Sequence, residues 1–155
     1  MYRRILVPVD GSVVARRAVA KAVQLAREQR GGRLRLVHVV DEAPMPWGET
    51  EFVRHAEVRR ALRRAGERVL DREARAGKKA RVQVETNLLV RRTYPERIGD
   101  LVSDHARRWR ADLIVMGSHG RGMMGRLFMG SVAQAVVRGA QADVLLVRAA
   151  RKSRA

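Results

Sequence analysis

Short apolar runs alternate with longer segments of helical periodicity along this chain, and this alternation constrains its fold more than any other feature. Runs such as ILVPV at 5–9 and LIVM at 113–116 are rich in branched residues and free of charge, which is typical of strands buried on both faces. Between such runs, apolar residues recur every three or four positions, as in amphipathic helices. Strands separated by helices predict right-handed crossovers and therefore an α/β, Rossmann-like parallel sheet with helices on both faces.

Capping and turn residues set the predicted boundaries. Ser12 is a good N-cap for the first helix, and the two glycines at 31–32 end it. The stretch 41–51 contains two prolines and is expected to be a loop, and Gly77 is expected to close the long helix that follows. The predicted strands are 4–9, 34–40, 81–89, 112–116 and 144–147. The predicted helices cover 12–29, 51–76, 95–109 and a segment beginning at 131.

The most distinctive stretch is VMGSHGRGMMGRLFMGS at 115–131, which follows the fourth predicted strand. Its glycines let the backbone approach an anion, and inward-turned N–H groups can form a nest around one. Ser131 is predicted to cap the next helix, whose N-terminus offers unpaired donors and a positive dipole end. A Walker A loop is excluded because Arg126 and Leu127 stand where lysine and a hydroxyl residue are required. A dinucleotide fingerprint is disfavoured because the glycines directly after the strand, from Gly117, follow the order G-x-x-G-x-G and not G-x-G-x-x-G. The stretch therefore suits a polyphosphate, although glycines that only make turns remain an alternative.

The spacing Gly117-x2-Gly120-x9-Gly130-Ser131 resembles the G-x2-G-x9-G-[ST] signature of the universal stress protein family, in particular its ATP-binding branch. The opening ILVPVDGS at 5–12 is similar to the first strand of that family and its aspartate. The resemblance implies an open five-stranded parallel sheet in the order 3-2-1-4-5. The expected organisation is one nucleotide-binding domain at 1–149 and a basic tail at 150–155. In that order the sheet reverses between strands one and four, where open α/β sheets bind ligands.

The resemblance also implies the ligand, an adenine nucleotide (ATP, or AMP or ADP) accompanied by Mg²⁺ or Mn²⁺. Asp10 ends the first strand and is expected to accept hydrogen bonds from ribose hydroxyls or to help hold the cation, with a helix-capping role left open. Whether His119 contributes its side chain or only its backbone also stays open. The base is expected against Pro8, Val9 and Val39, and the ribose against Met116 and Gly117. The phosphates are expected around His119, Gly120, Arg121, Gly130, Ser131 and Val132.

The formal net charge of +17 would attract polyanions of several kinds. In the second predicted helix, an apolar stripe is expected to face the core and an arginine-rich face to point outward, where it could follow phosphates. Acidic residues interrupt that face, and no nucleic-acid motif accompanies it. The predicted stripe consists of Val58, Leu62, Ala65 and Val69. The predicted outward arginines are Arg59, Arg60, Arg63, Arg64 and Arg68.

Several other functions are excluded or disfavoured by the sequence. There is no cysteine for a disulfide or a thiolate nucleophile, no G-x-S-x-G motif, and no histidine spacing that favours a metal site. No apolar run approaches the ~20 residues that span a bilayer. With no cysteine framework either, we expect a cytoplasmic protein, and with none of these motifs we expect no catalytic residues. Members of the family commonly dimerise through the last strand, which implies a homodimer here. Arg92 and Tyr94 depart from the glycine and proline that the family usually carries after strand three.

Two hypotheses for the function follow. The preferred one is an ATP-binding stress-response sensor or regulator, in which hydrolysis is at most slow because no base is evident to activate water. The alternative is a basic, nucleic-acid-associated stress protein in which the nucleotide loop is vestigial.

Overall fold

The computed structural model describes residues 1–43, 52–119 and 129–148, with side chains of the second helix described from residue 56 onward. Strands and helices alternate through these ranges as predicted. The strands are β1 (Arg4–Pro8), β2 (Arg33–Asp41), β3 (Gln83–Arg91), β4 (Leu113–Gly117) and β5 (Asp143–Val147). The helices are α1 (Val13–Arg27), α2 (Phe52–Lys79), α3 (Ile98–Trp109) and α4 (Ser131–Gly139).

The five strands form one parallel sheet in the order β3-β2-β1-β4-β5, which confirms the predicted topology. Residues Arg4 to Pro8 of β1 pair in register with Arg33 to Val37 of β2. On the other side, Ile5 and Leu6 pair with Leu113 and Ile114 of β4. The order of the strands therefore reverses at β1, and the carboxyl ends of β1 and β4 lie next to each other.

Two apolar cores cover the two faces of the sheet, because alternate residues of each strand point to opposite sides. Leu34 and Leu36 of β2 belong to the core beneath α1 and α2, together with Val19 and Leu70 of those helices. Val37, one position along, belongs to the opposite core, which contains residues of α3 and α4. The central strands are thus buried on both faces, as their continuous apolar runs predicted.

The long helix α2 differs from the prediction in its end and in its buried face. It runs through Gly77 to Lys79 instead of closing at Gly77. Val58 and Leu62 of the predicted stripe are 55% and 42% exposed, and Ala65 is exposed as well. The residues of α2 that are buried are Gly66, Leu70, Glu73, Ala74 and Gly77. Val69 of the predicted stripe is partly buried and packs against the core. The buried face as a whole lies about one residue further along than predicted, which on a helix is a rotation of roughly 100°.

Candidate functional site

The carboxyl end of β1 leads into a tightly bonded turn. The backbone N–H of Val9 donates to the carbonyl of Val37 in β2 at 2.8 Å. Asp10 then accepts the backbone N–H of Ser12 at 2.9 Å, and Gly11 between them has φ of 79°, a conformation that glycine adopts at little cost. Ser12 caps α1 as predicted, since its hydroxyl accepts the N–H of Ala15 at 3.1 Å. The Asp10 carboxylate therefore lies at the sheet edge, oriented by the turn that it stabilises.

The carboxyl end of β4 lies in close contact with the start of α1. A Cβ atom placed on Gly117 would come within 2.9 Å of a methyl group of Val14 and within 3.1 Å of the His119 carbonyl. A residue with a side chain at this position would require the Val14 side chain or the His119 backbone to shift. The next residue, Ser118, donates its backbone N–H to Val147 of β5 at 2.9 Å. Gly117 and Ser118 thus bring the end of β4 against both α1 and β5.

A backbone hydrogen bond joins the two ends of the glycine-rich segment. The N–H of Gly130 donates to the carbonyl of Ser118 at 2.9 Å, which places the start of α4 beside the end of β4. Gly130, and not Ser131, is the N-cap of this helix, since Gly130 has extended backbone angles and its carbonyl accepts the N–H of Gln134. The predicted cap at Ser131 was therefore one residue late. Gly130 has no side chain, so α4 begins without the side-chain hydrogen bond that caps α1.

His119 presents a buried nitrogen atom at this position. Its Nδ1 lies 2.8 Å from the hydroxyl oxygen of the buried Ser118. The other ring nitrogen, Nε2, is buried and has no hydrogen-bond partner among the described residues. If the Ser118 hydroxyl donates to Nδ1, then Nε2 carries the proton in the neutral ring. A buried donor without a partner costs folding free energy. This N–H group would therefore be stabilised by an anion or another hydrogen-bond acceptor.

Two bidentate ion pairs lie at the carboxyl ends of β2 and β3. Arg91 binds Asp41 through two guanidinium nitrogens and lies over the ring of Tyr94, 4.5 Å from its centroid. Arg63 of α2 binds Glu42 at 2.5 and 2.9 Å, so Arg63 does not point outward as predicted. The hydrogen bond from Arg91 lowers the pKa of Asp41, and that from Arg63 lowers the pKa of Glu42. Both carboxylates therefore stay ionised well below neutral pH.

The structure describes most of the predicted site residues at the carboxyl edge of the sheet. Pro8 ends β1, Val9 and Asp10 follow it, and Val39 lies in β2, partly buried. Met116 and Gly117 end β4, and Gly130, Ser131 and Val132 begin α4. The side chains of Val9 and Met116 are buried in opposite cores, which leaves mainly their backbone atoms for a ligand. Gly120 and Arg121 lie outside the described residues.

The sequence reasoning did not single out several residues that organise this edge. Ser118 holds the ring of His119, and Arg91, Glu42 and Asp41 close the ends of β2 and β3. His38 of β2 lies 2.7 Å from the carbonyl of Val9 through its Nδ1. The signal for His38 was present in the sequence as a polar residue inside an otherwise apolar strand. The ion pairs could not be read from the sequence, because their partners come from different elements.

The described residues also limit what this edge can hold. Across residues 1–43, 52–119 and 129–148, no group of three or more His, Cys, Asp or Glu side chains is arranged to hold a metal ion. A divalent cation would therefore depend on phosphate oxygens and water, with Asp10 as the acidic side chain at the end of β1. No described helix combines the length and the apolar character needed to cross a membrane.

Comparison with known proteins gives a consistent result. The family model described as the universal stress protein family matches residues 1–148. A universal stress protein of Thermus aquaticus is 38% identical over 148 residues, covering 96% of this chain and all of the relative. A crystal structure from the same family in Burkholderia pseudomallei is 30% identical, with a TM-score of 0.73 and coverage of 96% and 97% of the two chains. The universal stress protein of Archaeoglobus fulgidus in complex with dAMP is 27% identical, with a TM-score of 0.63 and coverage of 94% and 98%.

Proposed function

Because the chain belongs to the universal stress protein family, we propose that it binds an adenine nucleotide at the carboxyl edge of β1 and β4. The observation that carries the proposal is the buried Nε2 of His119, which lacks a partner among the described residues. His119 lies two residues after the end of β4. The hydrogen bond between Gly130 and Ser118 holds the start of α4 next to this segment. The dAMP complex of the relative from Archaeoglobus fulgidus supports an adenine nucleotide as the ligand class.

The roles of the residues follow from their chemistry. The N-terminal amides of α4, at Ser131 and Val132, would donate to phosphate oxygens, with the helix dipole adding a favourable field. His119 would donate from Nε2 to the same group. Asp10 would accept a hydrogen bond from a ribose hydroxyl, or join the phosphates in holding Mg²⁺ or Mn²⁺. The backbone at Val9 and the side of Val39 would border the base.

The proposed role of the bound nucleotide is regulatory. ATP, ADP or AMP would report the energy state of the cell to a partner, and hydrolysis would be slow because the sequence offers no base to activate water. We further propose that two copies associate through β5, the edge strand, whose apolar residues are half-buried in the single chain. An edge strand of this kind is protected by pairing with a second copy.

Calorimetric titration with ATP, ADP and AMP in the presence of Mg²⁺ tests the proposal. We expect wild-type protein to bind at least one of them with micromolar affinity. His119→Ala should weaken binding roughly 10- to 100-fold, because a hydrogen bond to a charged group contributes roughly 1.5–3 kcal/mol. Gly130→Val should abolish it by placing a branched side chain at the start of α4.

His105→Gln is the matched control, because His105 belongs to α3 and contacts Arg35 near the start of β2 instead of the carboxyl edge. Its affinity for the nucleotide should equal that of the wild type. Absence of binding in the wild type, or equal affinities for wild type and both site variants, would overturn the proposal.

A further inference from the structure

His38 is a polar residue in a position where its strand otherwise supplies apolar side chains. Leu34, Leu36 and Val40 of β2 point to the same side of the sheet and are buried. His38 occupies the place between Leu36 and Val40 and is half-buried. A partly desolvated imidazole needs a partner for its polar atoms, so its presence in this row calls for a structural reason.

The partner of His38 is Val9, the residue that follows β1 directly. Nδ1 of His38 lies 2.7 Å from the carbonyl oxygen of Val9. A carbonyl can only accept, so Nδ1 carries the proton and donates, and in the neutral ring Nε2 is then the acceptor. The N–H of Val9 is held by the carbonyl of Val37. Two neighbouring residues of β2 therefore hold both polar groups of Val9.

This bond lies where the pairing of the two strands ends. The register of β1 with β2 stops at Pro8 and Val37, and the chain then turns through Asp10 and Gly11 toward α1. The imidazole of His38 thus continues the attachment of β1 to β2 by one residue, by means of a side chain. The residue that it fixes immediately precedes the carboxylate proposed to contact the nucleotide.

Helix α2 restricts the ring from the other side. A Cβ atom on Gly66 would lie 2.6 Å from Cδ2 of His38 and 2.7 Å from a methyl group of Leu88. The backbone of α2 at Gly66 therefore packs close to the Cδ2 edge of the ring. This contact limits the motion of the ring, so the hydrogen bond to Val9 is made with a smaller loss of freedom, as in other pre-organised sites.

We propose that His38 is a positioning residue for the nucleotide site, acting through Val9 to fix the end of β1 and the turn that carries Asp10. This inference rests on the proposed function. It also makes a claim of its own about the protein without ligand: His38 is held as the Nδ1–H tautomer, and this bond protects the end of β1 from opening.

The first experiment measures the ligand-free protein and needs no nucleotide. Long-range ¹H–¹⁵N correlation spectra of the histidine rings should show Nδ1 of His38 protonated and Nε2 as an acceptor. Hydrogen exchange of the Val9 amide should accelerate roughly three- to tenfold in His38→Leu, as expected for loss of one hydrogen bond. In His38→Asn, whose amide nitrogen is as far along the side chain as Nδ1, exchange should return toward the wild-type rate. An Nε2–H tautomer, or unchanged exchange in His38→Leu, would overturn the claim.

The second experiment measures the affinity for ATP in the same variants. His38→Leu should bind roughly three- to tenfold more weakly, and His38→Asn should recover most of the loss. Val84→Ala is the control for general destabilisation, because Val84 contacts Gly77 near the other end of the sheet, and it should leave affinity unchanged. If His38→Leu and His38→Asn bind equally well, or if Val84→Ala weakens binding as much as His38→Leu, the positioning role is wrong. If the wild type binds no nucleotide, the proposed function fails, and the tautomer and exchange data still decide the role of His38 in the fold.

Discussion

Glu42 shows how much a single residue can depend on its partner. Its side chain is only 4% exposed, yet it remains ionised because Arg63 donates two hydrogen bonds to it. That hydrogen bonding lowers the pKa of Glu42 against the opposing effect of burial, and the charges of Arg63, Arg59 and Arg92 lower it further. A carboxylate with a lowered pKa stabilises the folded protein above the pKa of the unfolded chain, about 4.3 for glutamate. This contribution is lost as the pH falls through the folded pKa.

We therefore expect Glu42→Gln to lower the free energy of unfolding at pH 7 by roughly 1–3 kcal/mol, since Arg63 loses a charged partner. The difference from the wild type should shrink as the pH falls below about 4, where the wild-type carboxylate becomes protonated. Urea unfolding between pH 3 and 7 measures both effects. Asp104→Asn is the control, because the pair of Asp104 with Arg107 is exposed on both sides and should contribute little. A difference that stays constant down to pH 3 would contradict the assignment.

At the scale of elements, helix α2 shows what the sequence could and could not predict. The strands and the ends of α1 were predicted because apolar runs and caps are local signals, whereas the order of the strands was predicted from the family resemblance. The buried face of α2 was not, because α2 approaches the sheet through small residues, Gly66 and Gly77, which carry no hydrophobic signal. Val58 and Leu62, in the N-terminal half of the helix, are exposed. Likewise, the glycine spacing predicts a phosphate-binding loop from local sequence alone, whereas the contact of His38 with Val9 joins two different strands and could not be predicted from either of them.

Because α2 lies close to the sheet at Gly66, we expect Gly66→Ala to destabilise the protein, although helix propensity alone predicts the opposite. Alanine is favoured over glycine in a helix by about 1 kcal/mol. Gly66→Ala should nevertheless destabilise the protein by roughly 1–2 kcal/mol, because the new methyl group would overlap the confined ring of His38. Gly139→Ala is the matched control: at the end of α4 a Cβ would meet the side chain of Ser103 at ordinary contact distances, 3.6 Å from Oγ and 3.8 Å from Cβ, so this change should be neutral or stabilising. The melting temperatures of both variants, compared with that of the wild type, test this prediction. A Gly66→Ala variant as stable as Gly139→Ala would show that the His38 ring can move to accommodate the methyl group.

At the scale of the whole molecule, positive charge exceeds what the acidic residues can balance. Among the described residues, Asp41, Glu42, Glu73, Glu85, Asp100 and Asp104 each form an ion pair with an arginine. The chain still has 33 lysine and arginine residues against 16 acidic ones. Self-repulsion on this scale opposes the folded state, and dissolved salt screens it over about 10 Å at 0.1 M.

We therefore expect the melting temperature to rise as NaCl is increased from about 20 to 300 mM, in contrast to a protein stabilised mainly by exposed ion pairs. Differential scanning calorimetry measures this dependence. Replacing the exposed Arg60 and Arg64 by glutamine lowers the net charge and should reduce the slope. A melting temperature that falls with salt would mean that attractive pairs outweigh the repulsion.

The bond between Gly130 and Ser118 has a consequence for how proteins with this architecture could diversify. Because it joins the two ends of the segment 119–129, a change of sequence within residues 120–128 need not separate the end of β4 from the start of α4. Doubling the length of a closed loop costs only about 0.6 kcal/mol. We therefore expect residues 120–128 to accept sequences of other composition and length while the sheet and α4 stay folded, and grafting such sequences tests whether this segment sets ligand preference.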